Sequence, residues 1–247
     1  MTDFRERLYA HYLKGFHEER VKVRGALRDT YYRWMDFKIK PLLSDLAPDA
    51  RILELGCGVG DFLDYLKSRG FTNAQGVDCS EPQIEVARGR GLDAALDDVF
   101  EYLSWVENGT DVVAAIDFIE HLTADELFRL FDALKGTLKP GGRLILQTPN
   151  GAGLFASEVV YGDLTHMTIF TPGSLRQVLS AAGFDNIRFI ECGPAPINLK
   201  GAIKVALWRT VRAFAAAARM TELSEGKDIW TVNMICVAEN ADRAKPG

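Results

Sequence analysis

A glycine-rich loop in the first third of the chain has the spacing of a ligand-binding turn. In RILELGCGVGDF, residues 51–62, Gly56, Gly58 and Gly60 directly follow the apolar run at 52–55. Glycines at the end of a first strand allow a tight turn and let a ligand approach bare backbone. The dinucleotide fingerprint is G-x-G-x-x-G, whereas here the third glycine comes one residue early. The spacing therefore predicts a ligand other than a dinucleotide.

The charges around this glycine loop favour a cationic ligand. Asp61 occupies the position of the third dinucleotide glycine, where its carboxylate would repel a pyrophosphate. Glu54, just before the glycines, adds a second negative charge, and the Gly-Lys-Ser/Thr ending of a P-loop is absent. We therefore expect a ligand that carries positive charge and places no phosphate at this loop.

Further acidic positions complete the predicted ligand. Asp78 ends the second apolar run, 22 residues after Gly56, where a carboxylate can accept both hydroxyls of a ribose. Asp97 and Asp98 follow the third run, where a carboxylate can accept from an adenine amino group. Ribose, adenine and a cationic tail together describe S-adenosylmethionine.

Residues 148–172 interrupt the periodicity of the chain and carry the candidate catalytic residues. A loop this long inside a compact domain is usually functional, so we expect it to form a lid over the acceptor. Histidine titrates near neutrality, which makes His166 the predicted general base for an acceptor hydroxyl, with Asp163 as its orienting carboxylate. Alternatively, His166 only hydrogen-bonds backbone and shapes the lid, which also contains Tyr161 and Thr165.

His121 has a different predicted role. It follows the fourth apolar run in AIDFIEHL, which favours a structural position or one next to the cofactor over a catalytic one. Asp117, Asp163 and His166 are oxygen and nitrogen donors that a metal could use, but they form no compact ligand motif. The sequence therefore predicts no metal site.

Short apolar runs alternate with helix-like stretches from residue 51 onward. This is the pattern of βαβ units in a parallel, doubly wound α/β sheet, and residues 1–49 predict a helical cap before a domain at 50–247. Ligands bind beyond the carboxyl ends of the strands of such a sheet, where the glycine loop and the lid would meet. The predicted strands are 52–55, 74–77, 94–96, 112–116, 143–147, 187–192 and 229–238, and the predicted helices are 62–69, 82–89, 100–105, 125–138, 173–182 and 199–220.

Five segments resemble, in order and spacing, the motifs of class I S-adenosylmethionine-dependent methyltransferases. They are ILELGCGVGDF, GVDCS, DDVFEYL, AIDFIEHL and LKPGGRLILQTPN, and they cover residues 51–150. The resemblance implies a Rossmann-like, seven-stranded sheet whose last strand is antiparallel. The cofactor residues that it implies are Glu54, Gly56, Cys57, Gly58 and Gly60 for the methionine moiety, Asp78 for the ribose, Asp98 and Val99 for the adenine, and Asp117 and Phe118 beside the methionine and sulfonium. Cys79 and His121 are further predicted cofactor-binding residues. Each carboxylate has the alternative role of a helix cap or a solvated turn residue, and Asp97 is the alternative to Asp98.

A narrower resemblance concerns the acceptor. YGDLTHMTIFTPGSLRQVLSAAGF at 161–184 and IWTVNMICVAE at 229–239 look like a bacterial subgroup linked to surface-polysaccharide and lipopolysaccharide gene clusters. This implies O-methylation of a sugar hydroxyl in a surface glycan or its precursor. The alternatives are another small-molecule acceptor, such as a quinone or a secondary metabolite, or a non-catalytic S-adenosylmethionine-binding protein.

The composition limits the expected partners and compartment. The net charge of -5 and the pI of about 5.5 give no electrostatic footprint for nucleic acid. No apolar stretch approaches the ~20 residues of a membrane span, and the charged N-terminus is unlike a signal peptide. The four cysteines have neither zinc-ligand nor redox spacing, so we expect free thiols and a cytoplasmic protein.

Residues 198–220 are predicted to form an amphipathic helix. We expect it to cover the sheet and to expose its basic half, while the alternative is an interfacial helix or dimer face near a lipid-linked substrate, with peripheral membrane contact. At 100° per residue, one half of the wheel carries Lys200, Lys204, Arg209, Arg212 and Arg219. The other half carries Ile203, Ala206, Leu207, Phe214 and Ala217.

Overall fold

A seven-stranded sheet forms the centre of the part of the chain that the computed structural model describes, namely Leu8 and residues 18–223 and 229–241. The strand order is β3-β2-β1-β4-β5-β7-β6, and β7 runs antiparallel to both of its neighbours. This confirms the predicted doubly wound α/β sheet with an antiparallel last strand. The strands are β1 (Ile52–Leu55), β2 (Ala74–Asp78), β3 (Ala94–Leu96), β4 (Thr110–Ile116), β5 (Leu138–Pro149), β6 (Phe184–Glu191) and β7 (Asn233–Asn240).

Helices cover both faces of the sheet. Their starts follow local signals: Thr123 and Glu126 form a capping box before the helix that begins at Ala124, and Thr171 caps the helix that begins at Pro172. The helices are α1 (Glu18–Lys38), α2 (Asp61–Ser68), α3 (Glu81–Gly89), α4 (Val99–Trp105), α5 (Ala124–Thr137), α6 (Ser157–Val160), α7 (Pro172–Ala181) and α8 (Leu199–Leu223), with 3-10 turns at Lys40–Leu42 and Ile119–His121.

Alternate residues of the central strands supply the two cores. Leu53 and Leu55 of β1 belong to the core under α4, α5 and α7. Ile52 belongs to the opposite core, where Met35 and Ile39 pack against the same face as α2. Strands buried on both faces are typical of parallel sheets. The described part of the predicted N-terminal cap, α1, therefore packs directly on the sheet, while residues 1–7 and 9–17, with His11 and His17, lie outside the described residues.

The strand directions bring two regions to one edge of the sheet. β1, β2 and β4 are parallel, and β5 is parallel to β4, so the glycine loop and the end of β5 lie at the same carboxyl edge. Residues 148 and 149 of the predicted lid are the last residues of β5, and the remainder contains α6 and a bridge between Asn150 and Phe170. The predicted break in periodicity is therefore a folded loop with one short helix.

Helix α8 differs from the expected sheet-covering helix. The apolar half that we expected to be buried is exposed, and the inner side uses polar contacts: Trp208 Nε1 donates to Glu191 Oε2 at 3.3 Å, and Arg212 forms an ion pair with Glu191 at 2.9 Å. The expectation was wrong because the other helices already cover the sheet. The exposed members of the predicted apolar half are Ile203, Ala206, Leu207, Phe214 and Ala217.

Candidate active site

The glycine loop has the backbone that its sequence predicts. Gly56, Gly58 and Gly60 all have positive φ, at 65°, 54° and 79°. A Cβ on Gly56 would lie 2.4 Å from Cδ2 of Phe118, so the Phe118 ring lies directly against this glycine. The loop therefore depends on glycine for both conformation and close approach.

Asp78 holds the glycine loop in place. Its Oδ2 accepts from the Gly58 N–H at 2.9 Å, and its Oδ1 accepts from the Ser80 N–H at 2.8 Å. Burial raises the pKa of this carboxyl, while the two backbone hydrogen bonds oppose that shift. Asp78 thus lies at the end of β2 with a fixed orientation, as a ribose-binding carboxylate requires.

Glu54 is a buried carboxylate with an orphaned oxygen. It is 3% exposed, and within the described residues its Oε2 has no hydrogen-bond partner. Burial first, and then the charges of Asp61 and Asp78, raise its pKa well above the ordinary value. A cationic ligand group would relieve this arrangement, because a buried charge is costly unless it is paired. The amino group or sulfonium of S-adenosylmethionine fits this requirement.

Asp61 has a basic partner within the protein. Its Oδ1 forms an ion pair with Arg90 at 2.9 Å, and Arg90 also donates to the Val59 carbonyl at 2.7 Å. The carboxylate that was expected to repel a pyrophosphate is therefore paired with a guanidinium. The sequence argument did not include this pairing, and repulsion of a pyrophosphate by Asp61 stays a prediction, beside those from the glycine spacing and Glu54.

The predicted adenine residues lie at the end of β3. Asp98 is the N-cap of α4, since its Oδ1 accepts from Phe100 and Glu101 at 2.9 and 3.4 Å. The alternative role of a helix cap is therefore present, and contact with adenine stays a prediction. Val99 is buried, and Cys79 is the exposed thiol among four free cysteines.

Asp117 and Phe118 occupy the turn after β4. Asp117 has a φ of 53°, which is uncommon for a residue other than glycine and often marks a functional site. Its N–H donates to the Gln147 carbonyl at 2.9 Å, and its Oδ1 accepts from Gln147 Nε2 at 3.1 Å. The ends of β4 and β5 are thereby fixed to each other.

Backbone hydrogen bonds attach the lid to the 3-10 turn Ile119–His121. The Glu120 carbonyl accepts from the N–H groups of Met167 and Thr168 at 2.8 and 3.0 Å. Thr168 Oγ1 also donates to the Leu122 carbonyl at 2.6 Å. These contacts bring His166, the predicted catalytic residue, close to His121, which the sequence had placed beside the cofactor.

Two imidazoles and one carboxylate meet at this junction. The rings of His121 and His166 have centroids 5.1 Å apart, and one ligand atom of each, with one of Glu120, lie within 4.8 Å of one another. Glu120 is 2% exposed, and its Oε2 accepts from Thr148 Oγ1 at 3.1 Å. Burial first, and then the charge of Asp117, raise the pKa of Glu120 well above the ordinary value.

Asp163 contacts Thr165, whereas the sequence predicted that it orients His166. Its Oδ1 accepts from Thr165 N and Oγ1 at 2.8 and 2.6 Å. Among the described residues, Asp163 contacts His166 by a backbone hydrogen bond, from the His166 N–H to the Asp163 carbonyl at 3.3 Å, and its carboxylate makes no hydrogen bond to the His166 ring. The His166 ring is held by the Val160 carbonyl, 3.0 Å from Nδ1. Asp163 therefore acts on Thr165, which in turn contacts His121 Nδ1 at 2.9 Å. Sequence reasoning missed Glu120 and Thr165 as site residues.

Comparison with known proteins identifies the domain. A family model described as a methyltransferase domain matches residues 26–188. The probable tRNA methyltransferase 9B of Mus musculus is 29% identical over 110 residues, which cover 44% of this chain and 24% of that protein. The ubiquinone biosynthesis O-methyltransferase of Aeromonas salmonicida (strain A449) is 26% identical over 150 residues, covering 54% and 62%.

A solved structure shares the fold over nearly the whole chain. The SAM-dependent methyltransferase of Archaeoglobus fulgidus has a TM-score of 0.61 at 22% identity, covering 94% of this chain and 99% of that one. The chain spans about a quarter of the Mus musculus relative and three fifths of the Aeromonas relative. These relatives therefore inform on a shared domain.

Proposed function

Because the chain belongs to the methyltransferase domain family, we propose that it transfers the methyl group of S-adenosylmethionine to a sugar hydroxyl in a surface glycan or its precursor. The glycine loop, Glu54 and Asp78 would hold the cofactor, with its sulfonium directed toward the turn at Asp117 and Phe118. The observation that carries the acceptor assignment is the junction of Glu120, His121 and His166 under the lid.

The proposed reaction is an in-line displacement. The S–CH₃ bond of the sulfonium breaks as the O–CH₃ bond forms, and the hydroxyl proton leaves, so that neutral S-adenosylhomocysteine, a methyl ether and one proton are the products. Alignment of acceptor and methyl group can lower the barrier by roughly 7–11 kcal/mol, and a positioned base adds ~10²–10⁴-fold. His166 as this base stays a prediction.

Polar groups at the junction favour a hydroxyl acceptor. Thr165 is buried, and His121 and His166 are half-buried, so several donors and acceptors lie close together with limited exposure to water. A polyhydroxylated sugar can satisfy such groups, whereas an apolar ring would leave them unpaired at a cost. These features support the glycan assignment that the resemblance at 161–184 implies.

Helix α8 supports an acceptor attached to a lipid. Its exposed apolar face carries Phe214 and Leu207, 74% and 62% exposed, and Lys204 and Arg209 lie along the two borders of that face at 100° per residue. The helix has five basic residues and one glutamate on a chain of net charge -5. An apolar face with basic borders fits the surface of an anionic bilayer, which we propose as its partner.

Contacts connect α8 to the lid. Trp208 of α8 donates to Glu191, Glu191 Oε1 accepts from the Trp230 N–H at 2.8 Å, and the Trp230 carbonyl accepts from Leu154 in the lid at 3.0 Å. In the described residues no helix is both long and apolar enough to cross a membrane. The contact that we propose for α8 is peripheral, and a cytoplasmic location stays a prediction.

A quinone precursor is the second candidate acceptor. The exposed face of α8 would also serve a substrate with an apolar tail, and one relative is named as a ubiquinone biosynthesis O-methyltransferase. The tRNA methyltransferase relative is matched over 44% of this chain, and the acidic charge balance argues against nucleic acid as the acceptor here.

The acceptor class can be tested with ¹³C-methyl S-adenosylmethionine. Three acceptor sets are offered: nucleotide-linked and polyprenyl-linked sugars, catechols with an isoprenoid tail, and transfer RNA. We expect a ¹³C–O-methyl signal with the sugars alone. Labelling of the catechols or the RNA instead would overturn the sugar assignment.

Two variants calibrate that assay. Asp78→Ala removes a carboxylate proposed to accept two charge-assisted hydrogen bonds, each worth roughly 1.5–3 kcal/mol, so it should weaken cofactor binding at least tenfold. Glu85→Gln, on the exposed side of α3, is the matched control and should behave as the wild type. An unchanged dissociation constant for Asp78→Ala would show that the ribose is held elsewhere.

A further inference from the structure

Glu120, His121 and His166 form a compact donor set from two separate segments. Glu120 and His121 lie in the 3-10 turn after β4, and His166 lies in the lid 45 residues later. One carboxylate oxygen and two imidazole nitrogens lie within 4.8 Å of one another. A two-histidine, one-carboxylate set with open positions is a common way to bind a divalent transition metal.

The hydrogen bonds of both rings define their tautomers. His166 Nδ1 lies 3.0 Å from the Val160 carbonyl, and His121 Nδ1 lies 3.3 Å from the Thr165 carbonyl. A carbonyl oxygen only accepts, so each Nδ1 carries a proton and each neutral ring has its lone pair on Nε2. This is the form of imidazole that coordinates a metal.

A second layer of contacts orients the donors. Asp163 Oδ1 accepts from Thr165 Oγ1 at 2.6 Å, which leaves Thr165 Oγ1 to accept from His121 Nδ1 at 2.9 Å. Thr148 Oγ1 donates to Glu120 Oε2 at 3.1 Å. Imidazoles that bind metals usually donate their other ring N–H to a fixed acceptor, because that hydrogen bond orients the ring and raises its basicity.

Glu120 is buried, and the basic side chains beside it are the two imidazoles. No Lys or Arg forms an ion pair with it in the described part of the chain, although it is 2% exposed. A buried carboxylate is retained in proteins when a cation or several hydrogen bonds compensate it. An ion held with His121 and His166 would supply that charge.

We propose that Glu120, His121 and His166 bind one divalent first-row transition-metal ion at the junction of the lid with the end of β4. The ion would hold the acceptor oxygen beside the cofactor, a use that rests on the proposed function. This departs from the sequence-based expectation of no metal. It also gives His166 a different role, since an imidazole nitrogen whose lone pair binds a metal cannot accept a proton.

Metal binding is tested without acceptor or cofactor. The chelator-treated protein is titrated with Zn²⁺ by calorimetry and with Co²⁺ by visible absorption. We expect one ion per chain, Co²⁺ bands without sulfur-to-cobalt charge transfer, and much weaker binding of Mg²⁺, because two of the three donors are imidazoles. Charge transfer from sulfur would place the ion on a cysteine and overturn the proposal.

Variants identify the donors. Glu120→Gln and His166→Ala should each weaken Zn²⁺ binding at least a hundredfold, and Thr165→Val, which removes the hydrogen bond to His121, about tenfold. Glu158→Gln, an exposed lid carboxylate, is the matched control and should bind as the wild type. Equal affinity in Glu120→Gln, His166→Ala and the control would overturn the site.

Two further measurements distinguish a loss of metal binding from misfolding, and failure of the metal site from failure of the proposed function. Each variant must bind S-adenosylhomocysteine with an affinity within a few-fold of the wild type, which shows that the domain is folded. Stoichiometric metal binding without methylation of any sugar would overturn the proposed function and leave the metal site intact. Full sugar methylation by protein that binds no Zn²⁺ or Co²⁺ would overturn the metal site and leave the function intact.

Discussion

The glycine loop and the lid lie at the same carboxyl edge of the sheet, but they are built in different ways. In the glycine loop, backbone conformation dominates: three glycines have positive φ, and Asp78 accepts from the Gly58 N–H. In the lid, side chains from distant segments dominate, since His166 reaches His121 only through hydrogen bonds between the lid and a 3-10 turn. The first region is local in sequence, whereas the second exists only in the folded chain.

The largest expected effect tests whether backbone controls the glycine loop. Gly56→Ala adds a Cβ 2.4 Å from Phe118 at a φ of 65°, so overpacking of ~1–3 kcal/mol adds to a left-handed penalty of ~1–2 kcal/mol. We expect urea unfolding to show a stability loss of about 2–5 kcal/mol. Binding of S-adenosylhomocysteine, measured by calorimetry, should weaken at least a hundredfold.

Gly58→Ala is the matched variant. The nearest atom to its Cβ would be Gln83 Oε1 at 2.8 Å, the end of a flexible side chain that can move away. The loss of stability in Gly58→Ala should therefore be limited to the cost of a left-handed backbone conformation, ~1–2 kcal/mol. The double variant Gly56→Ala/Phe118→Ala should regain the part of the stability loss that comes from overpacking against Phe118. Equal losses for the two single glycine variants would show that contact with Phe118 is not what restricts position 56.

Local construction explains why the cofactor residues were predictable. Glu54, Gly56 and Asp78 each lie at or next to the end of a strand. A short apolar run in the sequence predicts a strand and where it ends, so these positions could be predicted. The ion pair between Asp61 and Arg90 was not readable, because 29 residues separate the two and nothing in either segment indicates the other. The sequence argument about Asp61 therefore left Arg90 out.

The lid shows the opposite case. Its break in periodicity predicted a functional loop, and His166 was identified there from its chemistry alone. Its neighbours depend on how the lid returns to the turn at Glu120, which is a matter of tertiary packing. Likewise, the sequence pattern of α8 separates a basic half from an apolar half. Which half is exposed depends on the other helices, which already cover both faces of the sheet.

An intermediate effect concerns Glu54, the one buried carboxylate of the glycine-loop region with an orphaned oxygen. Because its pKa in the folded protein is raised, its favourable contribution is complete below the ordinary value of 4.5 and is lost as the pH rises toward the folded pKa. Ligand-free wild type should therefore lose stability as the pH rises above the ordinary value of 4.5 and through the raised folded pKa, whereas Glu54→Gln should show a flatter profile.

At pH 7 the ligand-free Glu54→Gln protein should melt at a higher temperature than the wild type, because the glutamine removes the cost of burying an ionisable carboxyl group without a partner for its Oε2. Saturating S-adenosylmethionine should reverse the order, since the glutamine lacks the charge that pairs with the cationic ligand. Thermal melts at several pH values, with and without cofactor, check both statements. If the stability of the wild type depends on pH as little as that of the variant, Glu54 does not have the raised pKa that its burial predicts, and its proposed pairing with a cationic ligand is contradicted.

The smallest expected effect concerns the exposed apolar face of α8, a helix that hydrogen bonds connect to the lid. If its apolar face rests on an anionic bilayer, Leu207→Ser and Phe214→Ser should each lower partitioning to phosphatidylglycerol-containing vesicles by about two- to fivefold, as expected for partial loss of buried apolar area. Val86→Ser, at an exposed apolar position on α3, should leave partitioning unchanged. Binding should fall at high salt and on zwitterionic vesicles, because the basic borders contribute through screened charges. If all three variants sediment equally with the vesicles, or if the protein shows no preference for the anionic lipid, this face has another partner. A molecular mass that rises with protein concentration would identify that partner as a second copy of the chain.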